Sequence, residues 1–276
     1  MRSFVVVLTV LSMAACAPES PEGSDNASMG ASAAPEASSA ESREERLQRR
    51  IADPEAARVF ARVLDSIAPE DGWERTRYLA FDRTSSGTTR SHRWDRFDGH
   101  YWVQGPVDEG ELTAIFDVNA PTEGERVWLD GEEVTDPELS ESLVTQAHRW
   151  FINDTYWLVF PFKWDDPGVN LRYLGEMEEW GETWEVVELT FEEVGLTPQN
   201  RYRAFVDPES GMFELWQYYS SADNEEPGFT NRWTEWERYG PIVLSSRRES
   251  EDGTRGVYFE NVVASTEVPE GAFEGY

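Results

Sequence analysis

Short runs rich in aromatic and β-branched side chains recur between residues 75 and 263, and turn-forming pairs separate them. This pattern marks strands joined by tight hairpins. It predicts strands at 75–83, 90–97, 100–104, 112–118, 126–129, 156–160, 171–177, 183–191, 201–206, 212–219, 230–239, 242–249 and 254–263. The turn signals are Asp98-Gly99, Glu109-Gly110, Asp130-Gly131 and Asp252-Gly253, with a longer one at Asp207-Pro208-Glu209-Ser210-Gly211. A two-residue loop at Asp98-Gly99 would pair Phe97 with His100 and set His92 opposite Gly105, so the two histidines are not cross-strand neighbours.

Two segments carry the helical period instead. After Asp53-Pro54, which can cap and open a helix, Phe60, Val63, Leu64 and Ile67 form one apolar stripe that ends at Pro69. After Asp136-Pro137, a second stripe of Leu139, Leu143, Val144, Ala147, Trp150 and Phe151 runs to about Asn153. Ser42 and Glu45 stand at capping-box spacing and announce a short charged helix. No alternation of strand and helix appears, which excludes a parallel sheet. The expected class is mainly β: one large, strongly bent antiparallel sheet with two helices. Several strands are apolar on both faces. In 183–191, Trp184 and Val186 oppose Val187, Leu189 and Phe191. In 212–219, Met212, Trp216 and Tyr218 oppose Phe213, Leu215 and Tyr219. A sheet wet on one side alternates more cleanly, so one face packs on helices or a cavity while the other carries amphipathic aromatics.

The first residues, "MRSFVVVLTVLSMAAC", combine one arginine, a short apolar stretch and two small residues. They read as a secretory signal over 1–15, too short to span a membrane. The stretch Met13-Ala14-Ala15-Cys16 resembles the bacterial lipobox, with Met13 in place of the usual leucine. That resemblance implies cleavage before Cys16 and acylation of its thiol with palmitate-type chains. Two or more chains make a stable anchor. Ala17 follows the cysteine, where an aspartate would mark inner-membrane retention in many didermic bacteria. The expected location is therefore the outer membrane, facing the periplasm. Residues 16–50 read as a disordered tether, of which the stretch 17–42, rich in Ala, Ser, Pro, Gly and Glu, reaches about 25–30 Å. The folded domain is expected over 51–276.

Cys16 is the only cysteine, so there is no intramolecular disulfide and the fold is held by its core. The formal charge is −30, and Lys163 is the only lysine. Scattered acidity of this kind argues against nucleic acid or anionic lipid headgroups as partners. Such a surface resembles proteins of salt-adapted organisms, in which concentrated salt screens self-repulsion.

The order of signal, N-terminal helix, meandering strands, mid-chain helix and further strands resembles the LolA/LolB-like superfamily of periplasmic lipoprotein carriers and lipid-binding lipoproteins. The segment "WFINDTYWLVFPFKWDDPGVNLRYLGE" carries the most specific likeness, to an uncharacterised lipoprotein branch. The end, "RYGPIVLSSRRESEDGTRGVYFENVVASTEVPEGAF", is similar to that branch's closing hairpin. The resemblance implies an unclosed half β-barrel, helices across its concave face, and an apolar interior that holds acyl chains. Two departures matter. The founding carrier is soluble, whereas Cys16 would anchor this chain. The acceptor's exposed loop with a protruding apolar residue has no identified counterpart.

No chemistry-bearing motif competes with a binding role. His92, His100 and His148 form no metal-ligand spacing. The acidic pairs Asp165-Asp166, Glu178-Glu179, Glu192-Glu193 and Glu225-Glu226 follow from composition. No phosphate-cradling or nucleophile-elbow motif is present. The expectation is a protein without catalytic residues, metal or cofactor. Its ligand, a lipid or other long apolar molecule, would meet Leu143, Trp150, Phe151, Trp157, Phe160, Phe162 and Trp164. The same run "NDTYWLVFPFKWDDPG" also reads as plain core, and Lys163 either meets an acidic head group or pairs with Asp165 or Asp166. The alternative class is a structural or assembly lipoprotein, its barrel filled by its own side chains.

One prediction follows from charge alone. Thermal stability is expected to keep rising from low to molar salt, beyond the point where ordinary screening has saturated at a Debye length of about 3 Å. A melting temperature flat across that range, measured by scanning calorimetry, removes the salt-adaptation reading.

Overall fold

The computed structural model describes residues 41–192 and 195–274. The expected signal peptide, Cys16 and residues 17–40 of the expected tether lie outside the described residues. In chain order the elements are α1 (Arg43–Gln48), α2 (Pro54–Ile67), α3 (Gly72–Arg75), β1 (Tyr78–Ser85), β2 (Thr88–Asp95), β3 (His100–Val107), β4 (Gly110–Asp117), β5 (Arg126–Leu129), β6 (Glu132–Glu133), α4 (Pro137–Val159), β7 (Val169–Glu179), β8 (Glu182–Phe191), β9 (Arg201–Val206), β10 (Phe213–Tyr219), β11 (Phe229–Tyr239), β12 (Ile242–Glu249) and β13 (Gly256–Ser265).

All these strands join one antiparallel sheet in the order β6-β5-β4-β3-β2-β1-β13-β12-β11-β10-β9-β8-β7. First and last strands meet in its middle. The mid-chain strands β6 and β7 are its two free edges, so the sheet stays open. α4 is the connection between those edges. It packs on β4, β5 and β12, and α2 packs on β7, β8 and β12. The expected mainly-β, unclosed antiparallel architecture is observed. Among the described residues, no helix is long and apolar enough to cross a membrane.

Local chemistry accounts for the helix starts. Asp53 accepts hydrogen bonds from the Glu55 and Ala56 amides, and Asp136 accepts one from Leu139. Ser42 and Glu45 close a reciprocal capping box at α1. The compact unit therefore starts at Glu41, ahead of the expected boundary at 51. Leu47 and Ile51 are buried in the core, which ties this segment to the domain.

Three sequence expectations need correction. Residues 156–160 are not a strand: α4 continues to Val159, and a 3-10 turn, Phe160–Phe162, ends it at Pro161. The buried positions Leu143, Ala147, Trp150, Asp154 and Leu158 keep helical spacing, with Val144, Thr155 and Val159 beside them. Asp154 and Thr155 are polar, which broke the visible stripe. Second, the β2–β3 loop spans four residues, not two. Asp95 accepts hydrogen bonds from the Phe97 and Asp98 amides, and His92 pairs with Val103. Third, Phe213 shares a core with Trp216, because a bulge shifts the β9–β10 register between residues 213 and 215.

The apolar residues on both faces are explained by two cores. The helix-bearing face carries the main one. On the opposite face Trp184, Val186, Phe205 and Leu215 form a smaller cluster, flanked by Leu174, Met177 and Trp180. The Arg232 guanidinium stands 5.7 Å from the rings of both Trp180 and Trp184.

Asp154 sits on the packed side of α4 with no exposure. Arg90 donates to it twice, at 2.7 and 3.0 Å, and Arg83 Nε lies 3.2 Å away. His92 Nε2 lies 3.3 Å from the same carboxylate, while its Nδ1 is 2.8 Å from the Tyr101 hydroxyl. This geometry suits the tautomer in which Tyr101 donates to Nδ1 and Nε2–H faces Asp154. Burial alone would raise the Asp154 carboxyl. Hydrogen bonds from His92 and Arg90 and the Arg83 charge outweigh it, holding the group well below the usual carboxylate range. Burial lowers His92, against the pull of Asp154, so the ring stays neutral in the fold.

Both native values lie below the unfolded ones. Their contribution to stability is full above the ordinary values, 6.5 for histidine and 3.8 for aspartate, and is lost as pH falls below each. Stability is expected to decline as pH is lowered from about 6.5, with a second fall below about 4. Asp154→Asn should flatten that second limb in pH-resolved thermal melts. Asp154→Ala leaves Arg83 and Arg90 without their partner and is expected to cost about 3–5 kcal/mol in urea unfolding.

Candidate functional site

The C-terminal half of α4 and the 3-10 turn after it cross the β7–β9 side of the sheet. They leave a cavity of about 370 Å³. Phe151, Ile152, Thr155, Tyr156 and Trp157 wall it from the helix, and Val169, Phe191 and Tyr202 from the sheet. Lys163, Asp166 and Pro167 form one rim, with Gly195, Leu196 and Thr197 on another side. Leu196 is 54% exposed there.

Ring packing sets this wall. Trp157 stacks on Phe229 and meets Trp216 edge-on, with centroids 4.7 Å apart in the second pair. Tyr202 lies nearly parallel to Trp216, at 5.3 Å and 13°. Tyr156 and Phe191 each approach Tyr202 at 5.7 Å. Aromatic pairs with offset or edge geometry hold their orientation beyond simple area burial.

Electrostatically the cavity is quiet. Burial raises the Tyr156 phenol well above its ordinary value and pushes Tyr202 up to about 12, so both are neutral. The Lys163 ammonium donates to Asp166 at 2.8 Å, which neutralises the rim cation. Asp165 turns the other way and pairs with Arg50 at 2.6 Å. An apolar chamber with a few polar groups at its mouth can hold an uncharged or amphipathic molecule. Among the described residues, no group of three or more His, Cys, Asp or Glu is placed to hold a metal ion.

The seven residues proposed from sequence are not gathered in one place. Phe151 and Trp157 line the cavity. Phe160 and Trp164 are wholly buried in core: Phe160 packs against Trp216 at 5.0 Å and Phe213 at 5.4 Å, and Trp164 stacks on Phe60 at 5.3 Å. Phe162 stacks flat on Trp73, at 4.3 Å and 6°, beside a small cleft under α1. Leu143 and Trp150 are buried beneath a polar groove at the other end of α4, where Arg90 lies 5.1 Å from the Trp150 ring.

Sequence reasoning missed Tyr156, Val169, Phe191 and Tyr202 as lining residues. Tyr202 had a readable signal, since it alternates with the buried Ala204 and Val206 in β9. It missed the Asp154 cluster as well. Its signal was a carboxylate at the i+4 position from Trp150 on an apolar helix face.

No protein-family model matches the chain, and no curated protein matches it in sequence. Among solved structures, the chain is similar to a DUF1329 family protein from Desulfovibrio piger: 12% identity, TM-score 0.46, covering 80% of this chain and 98% of that one. It is also similar to a LolA superfamily protein from Nitrosomonas europaea, with 11% identity, TM-score 0.42 and coverage of 79% and 97%. A third is an outer membrane lipoprotein-sorting protein domain from Vibrio parahaemolyticus, with 10% identity, TM-score 0.40 and coverage of 78% and 97%.

Proposed function

We propose that this protein is a binding protein, not an enzyme, and that it holds one long apolar molecule, a lipid or single acyl chain, in the cavity beside α4. The observation that carries this reading is the cavity: about 370 Å³, walled mainly by aromatic and aliphatic side chains, with neutral phenols inside and its one cation paired at the rim. Its size stands at the lower end of the roughly 300–1,000 Å³ of small-molecule sites. That suits one chain better than the several chains of a lipoprotein anchor. In this reading the protein works at the cell envelope, on the periplasmic side of the outer membrane, held by acyl chains on Cys16. Lipid trafficking of a single-chain cargo is the role it fits.

A second reading draws on a different observation. The interior beneath α4 is filled by Phe160, Trp164, Phe213, Trp216 and Trp233, none more than 1% exposed. A structural or assembly lipoprotein acting through protein contacts would have such a filled barrel.

Titration with the fluorescent fatty acid cis-parinaric acid separates the two. Wild type is expected to bind it saturably. Trp157→Ala removes one wall and should weaken binding about ten- to hundredfold, the worth of one buried aromatic side chain. Ile152→Trp should fill the cavity and abolish uptake, with stability within about 0.5 kcal/mol of wild type. Phe160→Ala, in packed core, should instead cost about 3–5 kcal/mol of stability. Absence of saturable uptake in wild type leaves the structural reading standing. Separately, Cys16→Ser should move the protein from membranes to a soluble fraction; firm retention of the variant ends the anchor reading.

A further inference from the structure

Lys163 is the only lysine of the chain; its other cationic side chains are arginines. Among the described residues that line the apolar cavity, Lys163 and Asp166 are the charged ones. The turn after α4 fixes where they stand. Phe162 and Trp164, on either side of Lys163, are buried in core. The Lys163 amide donates to Phe160 O at 3.0 Å, and Asp166 O accepts from the Val169 amide at 3.0 Å. The backbone of both residues is therefore pinned, while their side chains reach the mouth of the cavity and are 29% and 43% exposed. They meet there as an ion pair of 2.8 Å. A pair this exposed contributes little to stability, so exchanging its partners costs little. Asp165 does not compete for the lysine, because Arg50 holds its carboxylate at 2.6 Å and its carbonyl at 3.2 Å.

This pair decides which head group suits the mouth. A net anion finds no unpaired cation in the described lining, and it meets Asp166 and an overall charge of −30. A net cation would have to take Asp166 from Lys163 and leave the ammonium without a partner. An uncharged head group uses neither charge. A zwitterion uses both. Its anionic group replaces Asp166 at Lys163, and its cationic group replaces Lys163 at Asp166. Four charges then alternate in sign and no net charge is added. Lysine suits the exchange better than arginine. Its ammonium is a compact point charge with three rotatable donors on a flexible stem, and it binds phosphate in that way.

On the reading that the cavity holds one acyl chain, we infer that its ligand is a single-chain zwitterionic lipid of the lysophosphatidylethanolamine type, with Lys163 receiving the phosphate and Asp166 the primary ammonium. The acyl chain lies among Phe151, Trp157, Phe191 and Tyr202, and the head group stays at the mouth beside the two charged side chains. Lys163 and Asp166 are then the residues that set head-group specificity, while the aromatic wall supplies the affinity for the chain.

Displacement of bound cis-parinaric acid at neutral pH tests this with three lauroyl lipids that differ only in the head group: phosphoethanolamine, phosphoglycerol and plain glycerol. Wild type is expected to bind the phosphoethanolamine lipid about five- to tenfold more tightly than either of the others. Asp166→Asn should erase its lead over the phosphoglycerol lipid, by weakening the first and relieving repulsion on the second. Lys163→Met should weaken both phosphate lipids and leave the glycerol lipid unchanged. The double variant Lys163→Asp with Asp166→Lys keeps a pair of opposite charges and should keep the preference, a check that holds even if one single variant folds poorly. Absence of saturable cis-parinaric acid uptake in wild type ends the acyl-chain reading and this one together. Uptake with equal affinity for the three head groups overturns the zwitterion alone and leaves the acyl-chain cavity standing. A preference that survives both single variants overturns the roles of Lys163 and Asp166.

Discussion

A carboxylate on the buried side of a helix is tolerable only where cations meet it with good geometry. Asp154 is such a group, and its partners decide how α4 sits. Arg83, Arg90 and His92 come from two adjacent strands, β1 and β2, at the centre of the sheet. α4 itself links the two free edges. One side chain therefore joins the connection between the edges to the middle of the sheet. Apolar packing alone would let the helix slide by a turn at modest cost. The bidentate Arg90 contact does not allow that, because a shift of one turn, about 5.4 Å, would bury every charge unpaired.

With α4 held there, aromatic packing divides the space beneath it. The 3-10 turn drives Phe160 and Phe162 down into core, and Trp164 follows against Phe60. The preceding turn of helix points Trp157 and Tyr156 toward β9 and β10, where Tyr202 and Trp216 stand parallel. Rings of that size meet edge-on and do not close the gap to β7. The cavity is what remains. Its walls combine plainly apolar side chains, such as Phe151 and Phe191, with Tyr156, Trp157 and Tyr202, whose apolar bodies carry a polar tip.

The two open edges are protected differently. β6 is two residues long, both glutamate, too short and too charged to recruit another strand. β7 is long, but the second carboxylate oxygen of Asp53 accepts a hydrogen bond from the Tyr173 amide at 2.9 Å. The residue that caps α2 thus also covers part of the edge. A bulge at Gly175, whose φ is +88°, bends the strand beyond that point. Glu185 adds a further tie between α2 and the sheet, accepting from Arg58 at 2.8 Å and also from Arg62.

Local signals in the sequence determined most of the strands, their antiparallel order and the starts of the helices. Period-two runs and Asp/Gly turns act over a few residues, so β5 and β9 were legible to the residue. Capping at Ser42, Asp53 and Asp136 was legible for the same reason. What lay outside local reach was decided in three dimensions. The run Tyr156–Phe160 is equally apolar as strand or helix, and the buried Asp154 hid the helical period; only its strand partners Arg83, Arg90 and His92, far away in sequence, reveal why a carboxylate belongs there. Which aromatics are core and which line a cavity depends on where α4 comes to rest over β7–β10. That separates Trp157 from Phe160, three residues apart, and joins Trp157 to Tyr202, which composition and spacing alone could not bring together.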